Sequence, residues 1–203
     1  MKCKWSCALV ALLLAFSLVC FNSCRRPPPP ALEEIYDDAV DLIERSYAVN
    51  DILFGHGLPV WQWESAYAEI NYVYQNRPLY ETVIPYSTIT TADRIKALLS
   101  SVYSAAYVES LSASLFDGYA YEEGVMPAQI KEDADGLHQH REYIPLVTWQ
   151  RIYDYSTMRV VGGDDRTAVI LVNSYLENDP TPMEVELVLV LENGAWRLDT
   201  PTY

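Results

Sequence analysis

The sequence predicts a single α+β domain in which N-terminal helices pack on a curved antiparallel β-meander. Three observations predict this fold. Apolar residues recur at helical spacing between residues 31 and 54, and a threonine-rich helix start follows at residues 90–93. From residue 148 onward, apolar and polar residues alternate between turn sequences. Helical periods that give way to strand periods are typical of α+β proteins.

The first helix is predicted from residue 31 to about residue 54. Acidic residues fill its opening turns, where they suit the positive end of the helix dipole, and Gly55, Gly57 and Pro59 end it. Its apolar positions recur at steps of three and four residues, and these positions are Leu32, Ile35, Ala39, Leu42, Ile43, Tyr47 and Ile52.

The middle of the chain is more mixed. Residues 61–86 are aromatic and predict one strand near 66–74 and a short one near 81–86. A second helix begins at residues 90–93, where a threonine oxygen accepts amide protons, and a third helical stretch covers 105–116. Residues 119–145 contain two prolines and many acidic residues, which predicts a loop-rich region.

Four strands are predicted in the C-terminal part, at about 148–161, 166–176, 183–192 and 195–199. The connections are a turn at residues 162–165, a turn that contains Pro180, and Asn193-Gly194. An Asn-Gly pair between alternating runs is a strong hairpin signal. One face of the third strand is predicted to be apolar, with Met183, Val185, Leu187, Leu189 and Leu191.

Residues 1–23 have the pattern of a secretory signal peptide. Lys2 and Lys4 supply positive charge, residues 8–19 are almost entirely apolar, and Ser23 is a small residue before a cysteine. The apolar run is shorter than the roughly 18 to 20 residues that cross a bilayer. We therefore expect export rather than a permanent transmembrane helix.

All four cysteines lie in the first 24 residues, so residues 25–203 have no disulfide, thiolate metal site or cysteine nucleophile. Cys24 has the position of a lipidated lipoprotein cysteine, and Cys20 is a poorer candidate because Val19 precedes it. An ordinary secretory signal with a bystander cysteine is the alternative. Residues 24–30, with two arginines and four prolines, then form a lipid-anchored, stiff linker, and residues 31–203 form the domain.

The expected location is therefore the outer face of the cytoplasmic membrane. After the signal, 12 basic residues (the total of 14 less two) face 28 acidic ones, a formal charge near −16. Such a charge excludes nucleic acid as a natural partner.

Candidate chemistry is sparse. Asp133, Asp135, Gly136 and Glu142 fit places of an EF-hand calcium loop, but Lys131 stands where the first carboxylate belongs. His138 and His140 form a possible pair of imidazole ligands without a spaced third ligand. The sequence has no hydrolase nucleophile motif and no glycine-rich phosphate loop. We therefore predict a protein that is not an enzyme and that has no metal or cofactor.

Sixteen tyrosines and five tryptophans are a high aromatic content for this length. Aromatic side chains suit recognition of a sugar or a partner protein, but more often they fill the interior of a sheet. Trp61 and Trp63, or Tyr119 and Tyr121, are the candidate contact pairs.

The predicted layout resembles the IseA family of extracytoplasmic inhibitors of cell-wall DL-endopeptidases in the order of its elements, which include three recognisable segments. They are the Thr-Thr-Ala-Asp helix start at 90–93, the Val-Tyr-Ser-Ala-Ala-Tyr segment at 102–107, and the ending from Gly194 to Tyr203 with its Trp-Arg-Leu-Asp sequence. The likeness spans residues 31–203. It implies a lipoprotein that occludes the cleft of a peptidoglycan hydrolase of the NlpC/P60 type. The ending is also similar to that of NTF2-like domains, which implies a solute-binding or accessory module.

No residue set in the sequence matches an inhibitory motif, so the contact surface is a hypothesis from charge. Carboxylates on the acidic segment after Phe116 are suited to a basic cleft. The expected partner-binding residues are Glu122, Glu123, Asp133, Asp135, Tyr119 and Tyr121.

Overall fold

The structure, a computed structural model, describes residues 27–60, 79–121, 124–143 and 150–203. It is a mixed α+β domain, as predicted. Residues 1–26, which include the predicted signal peptide 1–23 and Cys24, lie outside the described residues. So do the predicted strand near 66–74, Trp61, Trp63, Glu122 and Glu123. No helix in the described part of the chain is long and apolar enough to cross a membrane.

The three predicted helices are confirmed. Helix α1 spans Leu32–Phe54, α2 spans Ala92–Val102, and α3 spans Ala105–Ser112. The Thr91 hydroxyl accepts the amide proton of Arg94 at 3.3 Å, which is the expected cap of α2. A π-helical turn, Ala113–Asp117, extends α3 as far as Gly118, whose φ of 73° favours glycine.

Within the described residues, nine strands form three antiparallel sheets. The four-stranded sheet is a meander in chain order, with β6 Arg151–Asp164, β7 Thr167–Leu176, β8 Asp179–Glu192 and β9 Ala195–Leu198. The three-stranded sheet has the order β1 Tyr80–Thr82, β5 Gly136–His140, β4 Ile130–Asp133. A two-stranded sheet pairs β2 Tyr119–Tyr121 with β3 Gly124–Met126.

The helices cover one face of the meander. Helix α1 contacts α2, β6 and β9, and α2 contacts β9 and β4. Ile35, Leu42 and Ile43 of α1, at the predicted helical spacing, are buried in one hydrophobic cluster that also contains Ile170 of β7 and Leu187 of β8. Because helix and strand each bury one apolar face, the core lies between the two layers.

Three predictions about strands and loops are wrong in detail. The described residues of the region 119–145 are not mainly loop, since they contribute four of the nine described strands. The turn placed at residues 162–165 begins later, because β6 continues to Asp164 through a register shift between Val160 and Gly162. Pro180 lies within β8 rather than in a turn, at a second register shift, where its missing N–H costs no ladder hydrogen bond.

The chain after β9 packs back onto the helices. Ser104 N donates to Leu198 O at 2.8 Å, and Val188 N donates to the Thr200 hydroxyl at 3.0 Å. Next along the chain, Thr202 is 1% exposed. Its hydroxyl lies 2.7 Å from Ser46 Oγ, 2.9 Å from Asn50 Nδ2 and 3.2 Å from the Tyr103 hydroxyl. This polar network joins α1, the end of α2 and the C-terminal segment.

Buried amides fix the end of α1 from the other side. Gln129 Nε2 donates to Leu53 O at 2.6 Å, and Gln139 Oε1 accepts Leu58 N at 2.6 Å. Both glutamines are almost fully buried. Since buried polar groups need partners, these bonds set the path of the chain where α1 ends.

The β8–β9 turn requires a left-handed backbone conformation at Gly194, and a substitution can test this requirement. Asn193 and Gly194 have φ of 52° and 81°, the left-handed pair that this hairpin turn needs. We expect Gly194→Ala to lower the free energy of unfolding by about 1–2 kcal/mol, because a Cβ disfavours this region. Urea unfolding followed by circular dichroism measures the change.

Gly162→Ala is the control, because Gly162 does not have such a φ and its added Cβ meets only Val169 atoms at 3.8 and 3.9 Å. We expect it to leave the stability unchanged or slightly raised. An equal loss in both variants would show that the turn conformation is not what Gly194 provides.

The Tyr103 hydroxyl gives a pH prediction. Burial raises its pKa to about 12, against the hydrogen bond to Thr202, which lowers it. Unfolded tyrosine ionises near pH 10, so the contribution of Tyr103 to stability is complete below pH 10 and is lost as the pH rises toward 12. We expect Tyr103→Phe to reduce the fall in unfolding free energy between pH 9 and pH 11. Tyr86→Phe, on a ring that is 74% exposed, is the control, and an unchanged slope in Tyr103→Phe contradicts the prediction.

Candidate functional site

The predicted acidic residues Asp133 and Asp135 lie at the tip of the β4–β5 hairpin. Asp133 ends β4 opposite Gly136, and its Oδ1 atom accepts the Asp135 N–H at 2.8 Å. Both side chains are exposed. The hairpin therefore carries two carboxylates into solvent on a two-residue turn whose conformation Asp133 itself stabilises.

A second interaction holds this tip from the side. His138 Nε2 lies 3.0 Å from Asp133 Oδ1, and its Nδ1 lies 3.2 Å from the Thr82 hydroxyl on β1. The hydrogen bond from His138 is the largest influence that lowers the pKa of the Asp133 carboxyl, followed by the backbone N–H of Asp135. Asp133 thus remains ionised to a lower pH than an ordinary aspartate, and the chain Thr82–His138–Asp133 ties the tip to the sheet.

The hairpin is also attached to the helices. Glu132 Oε2 accepts the N–H of Ala92, the first residue of α2, at 2.9 Å. Val83 N donates to Leu137 O at 2.8 Å on the β1 side. The carboxylate tip is therefore carried on a support that is fixed on both edges.

The structure does not place a calcium loop at residues 131–142. These residues form a β-hairpin and a short 3₁₀ turn, Arg141–Tyr143, instead of a loop between two helices. The Lys131 ammonium lies 3.9 Å from the centre of the Tyr80 ring, a cation–π contact. In the described ranges, no three His, Cys, Asp or Glu side chains are grouped so that they could hold a metal ion.

His140 does not point toward a ligand shared with His138. It is 2% exposed and lies edge-on between Tyr80 and Tyr143, with ring centres at 4.8 and 5.3 Å. Burial lowers its pKa, which favours the neutral ring. His140 is therefore part of the packing under the hairpin.

The other predicted contact residues are not all brought together. Tyr119 and Tyr121 are the first and last residues of β2, on a different hairpin from Asp133 and Asp135. Glu122 and Glu123 lie outside the described residues, so their role stays a prediction. Of the predicted set, the structure groups the two aspartates on one turn.

The described residues also form a cleft that the sequence did not indicate. It has a volume of about 350 Å³ and lies between the end of α1, the start of β6, the β7–β8 turn and the C-terminal segment. Its lining residues are Tyr47, Asn50, Asp51, Phe54, Gly55, His56, Gln150, Arg151, Glu177, Thr202 and Tyr203. They come from four separate parts of the chain, so no local spacing marks the site.

The floor of the cleft is neutral and hydrogen-bonded. Asn50 and Thr202 belong to the polar network that includes Ser46 and Tyr103. Beside them, the Phe54 and Tyr203 rings lie 4.0 Å apart between centres and form an aromatic wall. A small ligand would therefore meet fixed hydrogen-bonding groups below and an apolar surface at one side.

Charged groups stand around this floor. The guanidinium of Arg151 donates from Nη1 to the Ser174 hydroxyl at 2.9 Å, which orients it. Asp51 Oδ1 accepts the His56 N–H at 3.2 Å and lies 2.6 Å from His56 Nδ1. Glu177 is exposed at the β7–β8 turn.

The Asp51–His56 pair closes the end of α1, which explains its geometry without a catalytic role. Gly55 N and Gly57 N both donate to Asp51 O, so residues 55–57 wrap around the last turn of the helix. The alcohol hydroxyl in the lining belongs to Thr202, which is buried and bonded to its neighbours. The arrangement supplies binding groups: an aromatic wall, amides, one guanidinium and two carboxylates.

No protein-family model matches this chain, and no curated protein matches it. The family resemblance drawn from the sequence therefore stays a prediction.

Proposed function

We propose that this chain is an extracytoplasmic lipoprotein, tethered through Cys24, that acts by binding and restrains a cell-wall hydrolase of the NlpC/P60 type. The signal-like residues 1–23 and the position of Cys24 support the location. The single observation that supports binding through a protruding acidic element is the β4–β5 hairpin, with exposed Asp133 and Asp135 on a fixed support.

A hairpin of this kind suits occlusion of an enzyme cleft. Its tip is preorganised by Asp133, His138 and Thr82, so little conformational entropy is lost on binding. Its exposed carboxylates are complementary to basic or amide groups around an active site. The formal charge of the whole chain, −14, also attracts a basic partner over a distance.

A second candidate function is that of a solute-binding accessory module. The cleft between α1 and the meander favours it, because its volume of about 350 Å³ falls within the range of small-molecule sites, roughly 300–1,000 Å³. The two candidates use different surfaces, so variants can separate them.

The hairpin is tested by Asp135→Lys in the full chain, purified in detergent. Asp135 gives the turn only its backbone N–H, so the substitution reverses the charge without removing a side-chain bond of the turn. We expect inhibition of a purified NlpC/P60-type DL-endopeptidase to weaken about tenfold or more, the usual scale for reversing a charge at a docking site. The rate of wall lysis, followed by turbidity against inhibitor concentration, gives the inhibition constant.

Asp165→Lys is the matched control. Asp165 is exposed at the β6–β7 turn, which has the same kind of support, since Arg166 N donates to Asp164 Oδ1 at 3.1 Å. Both variants change the formal charge by the same amount, so long-range attraction changes equally. Equal weakening in both, or none in Asp135→Lys, means that the hairpin is not the contact surface. Failure of the unsubstituted chain to slow lysis overturns the hydrolase proposal itself.

The anchor is tested by Cys24→Ser in cells. Serine cannot carry a thioether-linked lipid, and loss of the acyl chains removes the membrane affinity that two or more chains provide. We expect the chain to leave the membrane fraction and to be recovered in the extracytoplasmic soluble fraction, measured by immunoblot. Cys20→Ser is the control and should stay with the membrane. Retention of both variants in the membrane would contradict anchoring through Cys24.

A further inference from the structure

Arg151 is the arginine that lines the cleft, in a chain with twice as many acidic as basic residues. It is half-buried at the start of β6, on the inner face of the meander together with Tyr153, and it lines the cleft. Among the described residues, Arg45 pairs with Asp41 at 2.9 Å and Arg159 with Glu184 at 2.6 Å, whereas no carboxylate lies within 4.0 Å of the Arg151 guanidinium.

The orientation of this guanidinium is fixed by the protein. Nη1 donates to the hydroxyl of Ser174, which is fully buried and also bonds to Met183 O at 3.3 Å. A guanidinium has five N–H donors in a planar fork, so most of them remain for another acceptor. Removing such a group from water without a counter-charge is costly, and an anion in the cleft compensates that cost.

The other lining residues of the cleft limit which kind of molecule can carry that anionic group. Asp51 and Glu177 lie around the same space and repel a molecule with several negative charges, while either attracts an ammonium group. The Phe54–Tyr203 wall accepts an apolar side chain, and Gln150 is an exposed amide at the edge. A volume of about 350 Å³ suits a small ligand.

From these contacts we propose that the cleft binds an amino acid or the free C-terminal end of a short peptide. Arg151 holds the carboxylate through its guanidinium fork, Asp51 or Glu177 faces the ammonium group, and the Phe54–Tyr203 wall contacts the side chain. This site is separate from the β4–β5 hairpin and does not depend on the hydrolase proposal.

The experiment is isothermal titration of the full chain in detergent micelles. The probes are alanylalanine and alanylphenylalanine, each in L,L and D,D forms, with the matching dipeptide amides, which keep the ammonium group and lack the carboxylate. We expect saturable binding of at least one dipeptide, and binding of its amide weakened about 10- to 100-fold, as for the loss of a charged hydrogen bond.

Three variants locate the binding. Arg151→Gln removes the cation and should weaken dipeptide binding about 10- to 100-fold. Arg151→Lys keeps the charge without the fork and should fall between Arg151→Gln and the unsubstituted chain. Arg159→Gln is the matched control, since Arg159 is on the same strand, pairs with Glu184 on the outer face and does not line the cleft.

Thermal unfolding of each variant shows whether it is folded. If Arg151→Gln does not fold, Arg151→Lys still tests the role of the guanidinium. Binding of a dipeptide and its amide with equal affinity would overturn the proposal. Dipeptide binding that is unchanged in both Arg151→Lys and Arg151→Gln would also overturn it. A third contradicting result would be that none of the probes shows saturable binding. An eight-residue peptide that ends in the same dipeptide and binds equally well supports recognition of a chain end. Binding of the dipeptide but not of the eight-residue peptide supports a small free ligand. In both cases we expect Arg151→Gln to weaken the binding.

Discussion

The hydroxyl of Thr202 is the contact on which the arrangement of the domain depends. It meets side chains from α1 and from the end of α2, while the Thr202 carbonyl accepts the Tyr153 hydroxyl of β6 at 3.0 Å. These groups are neutral and, apart from the half-buried Asn50, almost entirely buried, so each one needs the others as partners. A shift of α1 along the sheet would break several of these bonds together. The network therefore sets the position of α1 on the meander as well as adding to stability.

The same contacts determine the shape of the cleft. Asn50 and Thr202 form its floor, and the next residue after Thr202 places the Tyr203 ring against Phe54. Gln129 and Gln139 hold the end of α1 independently. The end of α1 and the C-terminal segment, which border the cleft, are therefore both fixed before a ligand binds. A preformed site of this kind loses little entropy on binding. Core packing and the geometry of the cleft thus depend on one set of buried polar side chains.

Local patterns predicted the parts of the fold that local chemistry decides. The apolar spacing of α1, the Thr91 cap and the Asn193-Gly194 turn are confirmed because each depends on residues within a few positions. Gly162 and Pro180 misled the prediction for one reason. Each lies at a register shift within a long strand, where the ladder tolerates them, and a single sequence does not distinguish a bulge from a turn. The strands of 119–145 were missed because β2, β3 and β4 are only three or four residues long and β5 also pairs with the distant β1.

The two candidate surfaces differ in the same respect. The contact role of Asp133 and Asp135 stays a prediction, and these residues were selected from the acidic composition of a single segment of the sequence. Arg151 was not selected, because its meaning comes from Ser174 and from α1, which the folded sheet brings beside it. The sequence alone does not mark an arginine at the start of a strand as a binding residue. The mark is structural: among the described residues, no carboxylate lies near the guanidinium. A cleft whose lining is assembled from four segments therefore has to be inferred from unmatched charge in three dimensions, and not from spacing along the chain.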